Sequence, residues 1–175
     1  MNDELPIKNI FKAYDIRGIV GSELTSPTVK KIGQAIGTMA LSQMQKTICV
    51  GYDGRLSSPS LSTTLIDGLL STGINVIDIG LCTTPMLYFS NFYKETGTGV
   101  MITGSHNPPE YNGFKMVIKG KTLTSDDIQN LYQIILDSNY LNGEGDKKSL
   151  SIKSQYLHEI SNSIELKRPM KDAID

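Results

Sequence analysis

The chain has 175 residues, of which 39% are apolar, 20% charged and 7% aromatic. This is the make-up of a soluble globular α/β protein able to bury a core, neither a disordered chain nor the whole of a large multidomain machine. Lys plus Arg number 17 against 18 acidic residues, for a net charge of -1, which excludes a nucleic-acid-coating surface or a polybasic membrane patch and leaves a small molecule or another protein as partner. Cys49 and Cys82 lie far apart inside apolar stretches, so they read as reduced core residues, and only His106 and His158 could join them in a metal site. Met1 to Asn9 carry Asp3 and Glu4 without a basic start, and no apolar run approaches the ~20 residues of a membrane helix. A cytoplasmic address is the expectation.

In chain order, Ser26 caps a helix from about Pro27 through Ile32, Ile36 and Met39 to Met44. Thr47 to Tyr52 reads as a buried strand. Ser57 to Thr72 opens on Ser-Ser-Pro and sets Leu61, Leu65, Ile66, Leu69 and Leu70 on one helical face before Gly73 stops it. Ile74 to Ile79 is a second strand, Thr84-Pro85 starts a short helix ending near Lys94, and Gly99 to Thr103 is a third strand. A fourth, Gly113 to Lys119, follows a short loop, which implies an antiparallel pair. Ser125, with Asp126 and Asp127 behind it, caps a helix whose apolar face is Ile128, Leu131, Ile134 and Ile135. Strands alternating with helices predict a three-layer α/β/α fold on a mixed, mostly parallel sheet. The polar stretch Asn142 to Lys148 marks a domain edge, giving a domain over residues 1–145. Residues 146–175 then form a helix, Ile152 to Ile164, and a linker, Leu166 to Asp175, toward an absent second domain.

Three familiar signatures fail. Gly97 and Gly99 begin a GxGxxG run whose sixth position is Ile102; Gly120-Lys121-Thr122 has Lys115 where a P-loop needs its first Gly; and Ser105 is flanked by Thr103 and Asn107 where a GxSxG elbow needs glycines. What remains is the loop Thr103-Gly104-Ser105-His106-Asn107-Pro108-Pro109-Glu110-Tyr111-Asn112-Gly113-Phe114-Lys115, at the carboxyl end of a strand, where open α/β sheets bind ligands. Gly104 permits close backbone approach, His106 exchanges protons near neutrality, and Lys115 adds a cation. The same loop also reads as a Pro-stiffened turn with no chemistry. A second segment, Phe11 to Gly21, places Arg17 before Gly18 and three residues after Tyr14, and a third, Gly51-Tyr52-Asp53-Gly54-Arg55, repeats the Gly-Arg chemistry at a strand end. Guanidinium groups there suit phosphate recognition, with surface ion pairs to Asp15 and Asp53 as the plainer alternative.

At these residues the sequence resembles the α-D-phosphohexomutase family, the phosphoglucomutases and phosphomannomutases. Phe11 to Gly21 matches the family's amino-terminal arginine segment, and Thr103 to Lys115 matches its phosphoserine loop. The resemblance runs from about Phe11 to the final linker and covers only the first of the family's four domains. It implies that Ser105 is phosphorylated and exchanges its phosphoryl group with a hexose phosphate through a bisphosphorylated sugar. It further implies that His106 and Lys115 support acid/base steps, that Arg17 and Arg55 stabilise the transferring group, and that Tyr14 and Asn107 lie around the site. By the same resemblance Mg²⁺ binds an oxygen of phosphorylated Ser105, with its other ligands in the absent second domain, and hexose 1,6-bisphosphate is intermediate and activator. The implied partners are hexose phosphates and the remaining mutase domains, with no nucleic acid or membrane. The isolated chain is expected to be inactive. A binding module without chemistry, or a degenerate oligomerisation domain, is the alternative.

Overall fold

The computed structural model describes residues 5–165. The reading of Leu166 to Asp175 as a linker lies outside them, as does the start of the amino-terminal segment. After a short 3-10 turn at Lys8–Ile10 the elements are β1 (Ile16–Ile19), α1 (Ser26–Ser42), β2 (Thr47–Tyr52), α2 (Ser58–Leu70), β3 (Asn75–Leu81), α3 (Thr84–Tyr93), β4 (Gly99–Ile102), β5 (Tyr111–Ile118), β6 (Lys121–Thr122), α4 (Ser125–Leu136), β7 (Lys147–Ser149) and α5 (Lys153–Ser163).

One sheet holds all of these strands in the order β1-β5-β4-β2-β3-β7, with β6 also on β5. Strand β2 is parallel to β3 and β4, and β3 is parallel to β7. Strand β5 is antiparallel to each of β1, β4 and β6. It follows that β5 alone runs against the rest, so the sheet is mixed and mostly parallel, as expected. The reversal arises because residues 103–110 are too few for a crossover helix and return the chain as a hairpin does. The loop therefore stays at the carboxyl edge of β4.

Side-chain alternation along the strands separates two core layers. Ile48 and Val50 of β2 join α1, α2 and α4 through Ile32, Ile36, Leu65, Leu69, Ile128 and Leu131 in a large buried cluster. Cys49, between them, points to the other face and meets Leu87 of α3 with Ile79, Cys82 and Met101. Each fully buried Leu or Ile contributes about 1.5–3 kcal/mol, so the α1/α2/α4 side carries most of the stabilisation. Helices α1 and α2 cross with their backbones in contact. A methyl group at Gly33 would overlap the Leu65 carbonyl oxygen, and one at Gly68 would overlap that of Lys30.

Several local expectations need correction. Helix α1 is capped by Thr25, whose Oγ1 accepts from the Thr28 amide at 3.3 Å, and Ser26 is already inside the helix. Helix α4 is likewise preceded by Thr124, whose amide donates to Asp127 Oδ2 at 2.8 Å, so Ser125 is its first residue and not its cap. In both places two adjacent hydroxyl residues compete, and the earlier one takes the extended cap conformation. Strands β1, β6 and β7 were not expected. β7 is exposed along its whole length and carries no hydrophobic signal. It aligns with Val76, Ile77 and Asp78 of β3 through backbone pairing.

Candidate active site

Strand periodicity assembles the charged groups. Arg17 of β1 pairs in register with Gly113 of β5, and Ile16 with Phe114, so one position further Asp15 faces Lys115. Asp15, Arg17 and Lys115 thus share one face of the sheet. Asp15 is buried, and its Oδ2 accepts from Arg17 Nε at 2.7 Å and from Lys115 Nζ at 3.3 Å. One carboxylate therefore orients two cations. Both remain about one third exposed, with side-chain values of 30% for Arg17 and 33% for Lys115. Arg17 donates through Nε, leaving its terminal nitrogens without another partner among the described residues. A cavity of about 370 Å³ opens there, lined by Asn9, Lys12, Asp15, Arg17, Glu23, Asn107 and Tyr111.

In the loop after β4, Ser105 is exposed with φ 51°, a left-handed conformation uncommon for a residue bearing a Cβ. Its amide donates to Thr103 Oγ1 at 2.9 Å, and its Oγ lies 3.4 Å from His106 Nδ1. The hydroxyl is thus presented to solvent with an imidazole within reach. Asn107 lines the cavity, and its side-chain amide nitrogen is buried without a hydrogen-bond partner among the described residues. Tyr14 is 71% exposed, and neither it nor Ser105, His106 or Lys115 lines the cavity.

Arg55 is used differently from the expectation of a phosphate contact. Its Nη1 donates to the carbonyl oxygens of Pro108 at 2.7 Å and Tyr111 at 3.0 Å, and its Nη2 to those of Ser105 at 3.1 Å and Asn107 at 2.6 Å. Asp53, read from sequence as an ion-pair partner for Arg55, is the second support. It accepts from the Gly104 amide at 3.2 Å, the Arg55 amide at 3.1 Å and Ser58 Oγ at 2.6 Å. Burial pushes its carboxyl pKa upward, but these donors and Thr103 outweigh burial and hold it below the usual value. Asn112 is a further residue that sequence reading missed. It is fully buried at the loop's end and donates to the hydroxyls of Ser57 and Ser58 at 2.9 Å each. The clue would have been an Asn inside a strand otherwise rich in apolar residues.

No group of three or more His, Cys, Asp or Glu side chains among the described residues could hold a metal ion. Asp15 and Asp53 are already engaged, so the described residues do not form a Mg²⁺ site by themselves. Both cysteines are buried and free. Burial raises the thiol pKa of each, that of Cys82 to about 11, so neither is poised as a nucleophile.

Fold and site together define an α/β domain with an exposed serine in the loop at the carboxyl edge of its sheet and a carboxylate-anchored pair of cations on the strands that flank that loop's end. Residues 8–141 match the family model described as phosphoglucomutase/phosphomannomutase, alpha/beta/alpha domain I, and the chain belongs to that family. It is 44% identical over 167 residues to a phosphomannomutase/phosphoglucomutase of Pseudomonas aeruginosa, covering 95% of this chain and 36% of the relative. To a phosphoglucomutase of Neisseria meningitidis serogroup B it is 47% identical over 170 residues, covering 96% and 37%. The crystal structure of a phosphoglucomutase/phosphomannomutase family protein from Burkholderia thailandensis superposes with a TM-score of 0.90 at 38% identity, covering 95% of this chain and 38% of that one. The chain therefore spans little more than a third of the length of these relatives.

Proposed function

We propose that this chain supplies the phosphoserine domain of a phosphohexomutase that interconverts hexose 1-phosphates and hexose 6-phosphates, an activity belonging to a protein of its relatives' length. The observation that carries the reading is the exposed, left-handed Ser105 with His106 Nδ1 at 3.4 Å from its Oγ, in a loop whose Asn107 and Tyr111 line the cavity edged by Arg17. In the forward half-reaction the bond from Ser105 Oγ to phosphorus breaks as a sugar hydroxyl oxygen attacks. The sugar hydroxyl loses its proton to a base, and Ser105 Oγ gains one. The second half-reaction reverses these roles at the other end of the hexose 1,6-bisphosphate.

His106 and Lys115 are the candidates for these proton transfers. Charge accumulates on the equatorial oxygens of the transferring group, and Arg17, held by Asp15 with its terminal nitrogens unspent, is placed to meet it. Asn107 and Tyr14 are candidate contacts at the edge of the substrate. Mg²⁺ would find at most an oxygen of phosphorylated Ser105 here, and no step above is routed through it. The catalytic groups of this proposal lie within residues 1–145, but the expected edge there is too early, since β7 pairs with β3 and Ile152 is buried with Cys49, Leu87 and Met101. What leads toward the next domain starts at α5, of which no residue is buried, and Leu157, Ile160 and Ile164 stand 51%, 38% and 59% exposed. No helix of the described residues is long and apolar enough to cross a membrane, and a cytoplasmic location fits a substrate drawn from sugar phosphates.

Mass spectrometry of tryptic peptides from the full-length protein, after incubation with glucose 1,6-bisphosphate and Mg²⁺, should find phosphate on Ser105. Ser105→Ala should abolish both label and turnover. Phosphate on another serine with an active Ser105→Ala would sink the assignment, and a Ser105 that never labels would favour a binding or oligomerisation role.

A further inference from the structure

We propose that Arg55 is the positioning residue that imposes the shape of the serine loop and does not itself hold the phosphoryl group, an inference resting on the mutase reading above. A guanidinium has five N–H bonds. Four are spent on the carbonyl oxygens of Ser105, Asn107, Pro108 and Tyr111. The fifth, on Nε, faces Asp53 Oδ2 at 3.7 Å. Both terminal nitrogens are thus fully used, so a forked phosphate contact through them would require a carbonyl to be released.

The surroundings are fitted to this use. Asp53 ties the Gly104 amide and the Arg55 amide to one carboxylate, so the clamp and the loop share an anchor. Gly104 lies against the guanidinium so closely that a Cβ there would overlap Arg55 Cζ and Nε. Any larger residue at Gly104 must push the clamp away. The arrangement also solves an electrostatic problem. Four carbonyl dipoles in a loop that carries a phosphate dianion would repel it, and here their negative ends converge on one half-buried cation instead. Lysine cannot substitute, because an ammonium is a point charge with three donors and no planar fork to span four acceptors. The geometry explains how Ser105 is kept at φ 51° without a glycine.

The test compares wild type, Arg55→Lys and Gly104→Ala. In hydrogen exchange on the 175-residue chain, amides of residues 103–111 should open about tenfold faster in both variants, with β2 and β4 unchanged. In the full-length protein kcat should fall about 100-fold, since small displacements of a reacting group carry losses of that size, while KM for the sugar phosphate stays within about threefold. The double variant should be no worse than either single one, because both break the same contact. Wild-type loop exchange in Arg55→Lys, coupled with a KM raised about tenfold, would overturn the proposal and make Arg55 a phosphate ligand. Additive losses in the double variant would overturn it as well. If Ser105 never takes phosphate in the wild type but both variants still loosen the loop, the mutase reading fails and the clamp stands.

Discussion

Arg17 and Lys115 are oriented before any phosphate arrives, because Asp15 Oδ2 accepts from both. A buried carboxylate with two partners is costly to alter. Arg17→Lys keeps the charge but cannot reproduce a hydrogen bond from Nε to Asp15 while leaving two further nitrogens free for a phosphoryl oxygen. We expect this variant to melt within a few degrees of wild type, as the Asp15–Lys115 pair remains. Phosphoryl transfer by the full-length protein should fall on the order of 100-fold, the usual loss for one donor to developing charge. Near wild-type turnover would reduce Arg17 to a structural ion pair. At this scale the sequence singles out a residue where its own type suggests a chemistry. Ser105, His106, Arg17 and Lys115 stand out in their segments because few chemistries need them together. The contacts of Arg55 were not legible because its partners are backbone carbonyls, and no side-chain type announces those.

Among the secondary-structure elements, the crossing of α1 over α2 depends on Gly33 and Gly68, whose Cα atoms leave no room for a side chain between the helices. Helix propensity alone favours Gly68→Ala by about 1 kcal/mol. Packing opposes it more strongly, since the new methyl would overlap a backbone carbonyl that cannot rotate away. Overpacking of this kind destabilises by about 1–3 kcal/mol, so we expect a melting temperature lowered by about 3–10 °C, measured by circular dichroism. Gly54→Ala, at a position with nothing within 4 Å of the added methyl, should leave the melting temperature unchanged and serves as the control. The helices and central strands were legible because their apolar residues repeat with the right period. Strand β2 matched residue for residue, helped by four consecutive buried positions. Strand β1 was missed because it has four residues, two of them half-buried, and contains Arg17 and Gly18. The crossing glycines were equally illegible, since a close approach is a property of two helices and neither sequence segment records it alone.

Taken as a whole, the molecule has a closed core and an open site. The large cluster beneath α1, α2 and α4 does not depend on the exposed helix α5 or on anything beyond it. We therefore expect the 175-residue chain to fold cooperatively by itself. Interconversion of glucose 1-phosphate and glucose 6-phosphate is another matter. The described residues contain no group of side chains that could hold a metal ion, and phosphoryl transfer depends on holding the whole substrate in line. A coupled assay with glucose 1,6-bisphosphate and Mg²⁺ should find turnover many orders of magnitude below that of the full-length protein. Robust turnover by the 175-residue chain that vanishes in Ser105→Ala would show that the site is complete without further domains.

The contacts that shape the serine loop join residues 50 or more positions apart. A synthetic peptide copying residues 103–115 contains the serine, the imidazole and the lysine but neither Arg55 nor Asp53. In solution it would sample many shapes, of which the one on the protein is a small minority. Antibodies raised against such a peptide should recognise the denatured protein on a blot far better than the native one. An antibody selected on the folded domain should show the reverse preference, and should lose its epitope in Arg55→Lys even though every residue it touches is unchanged.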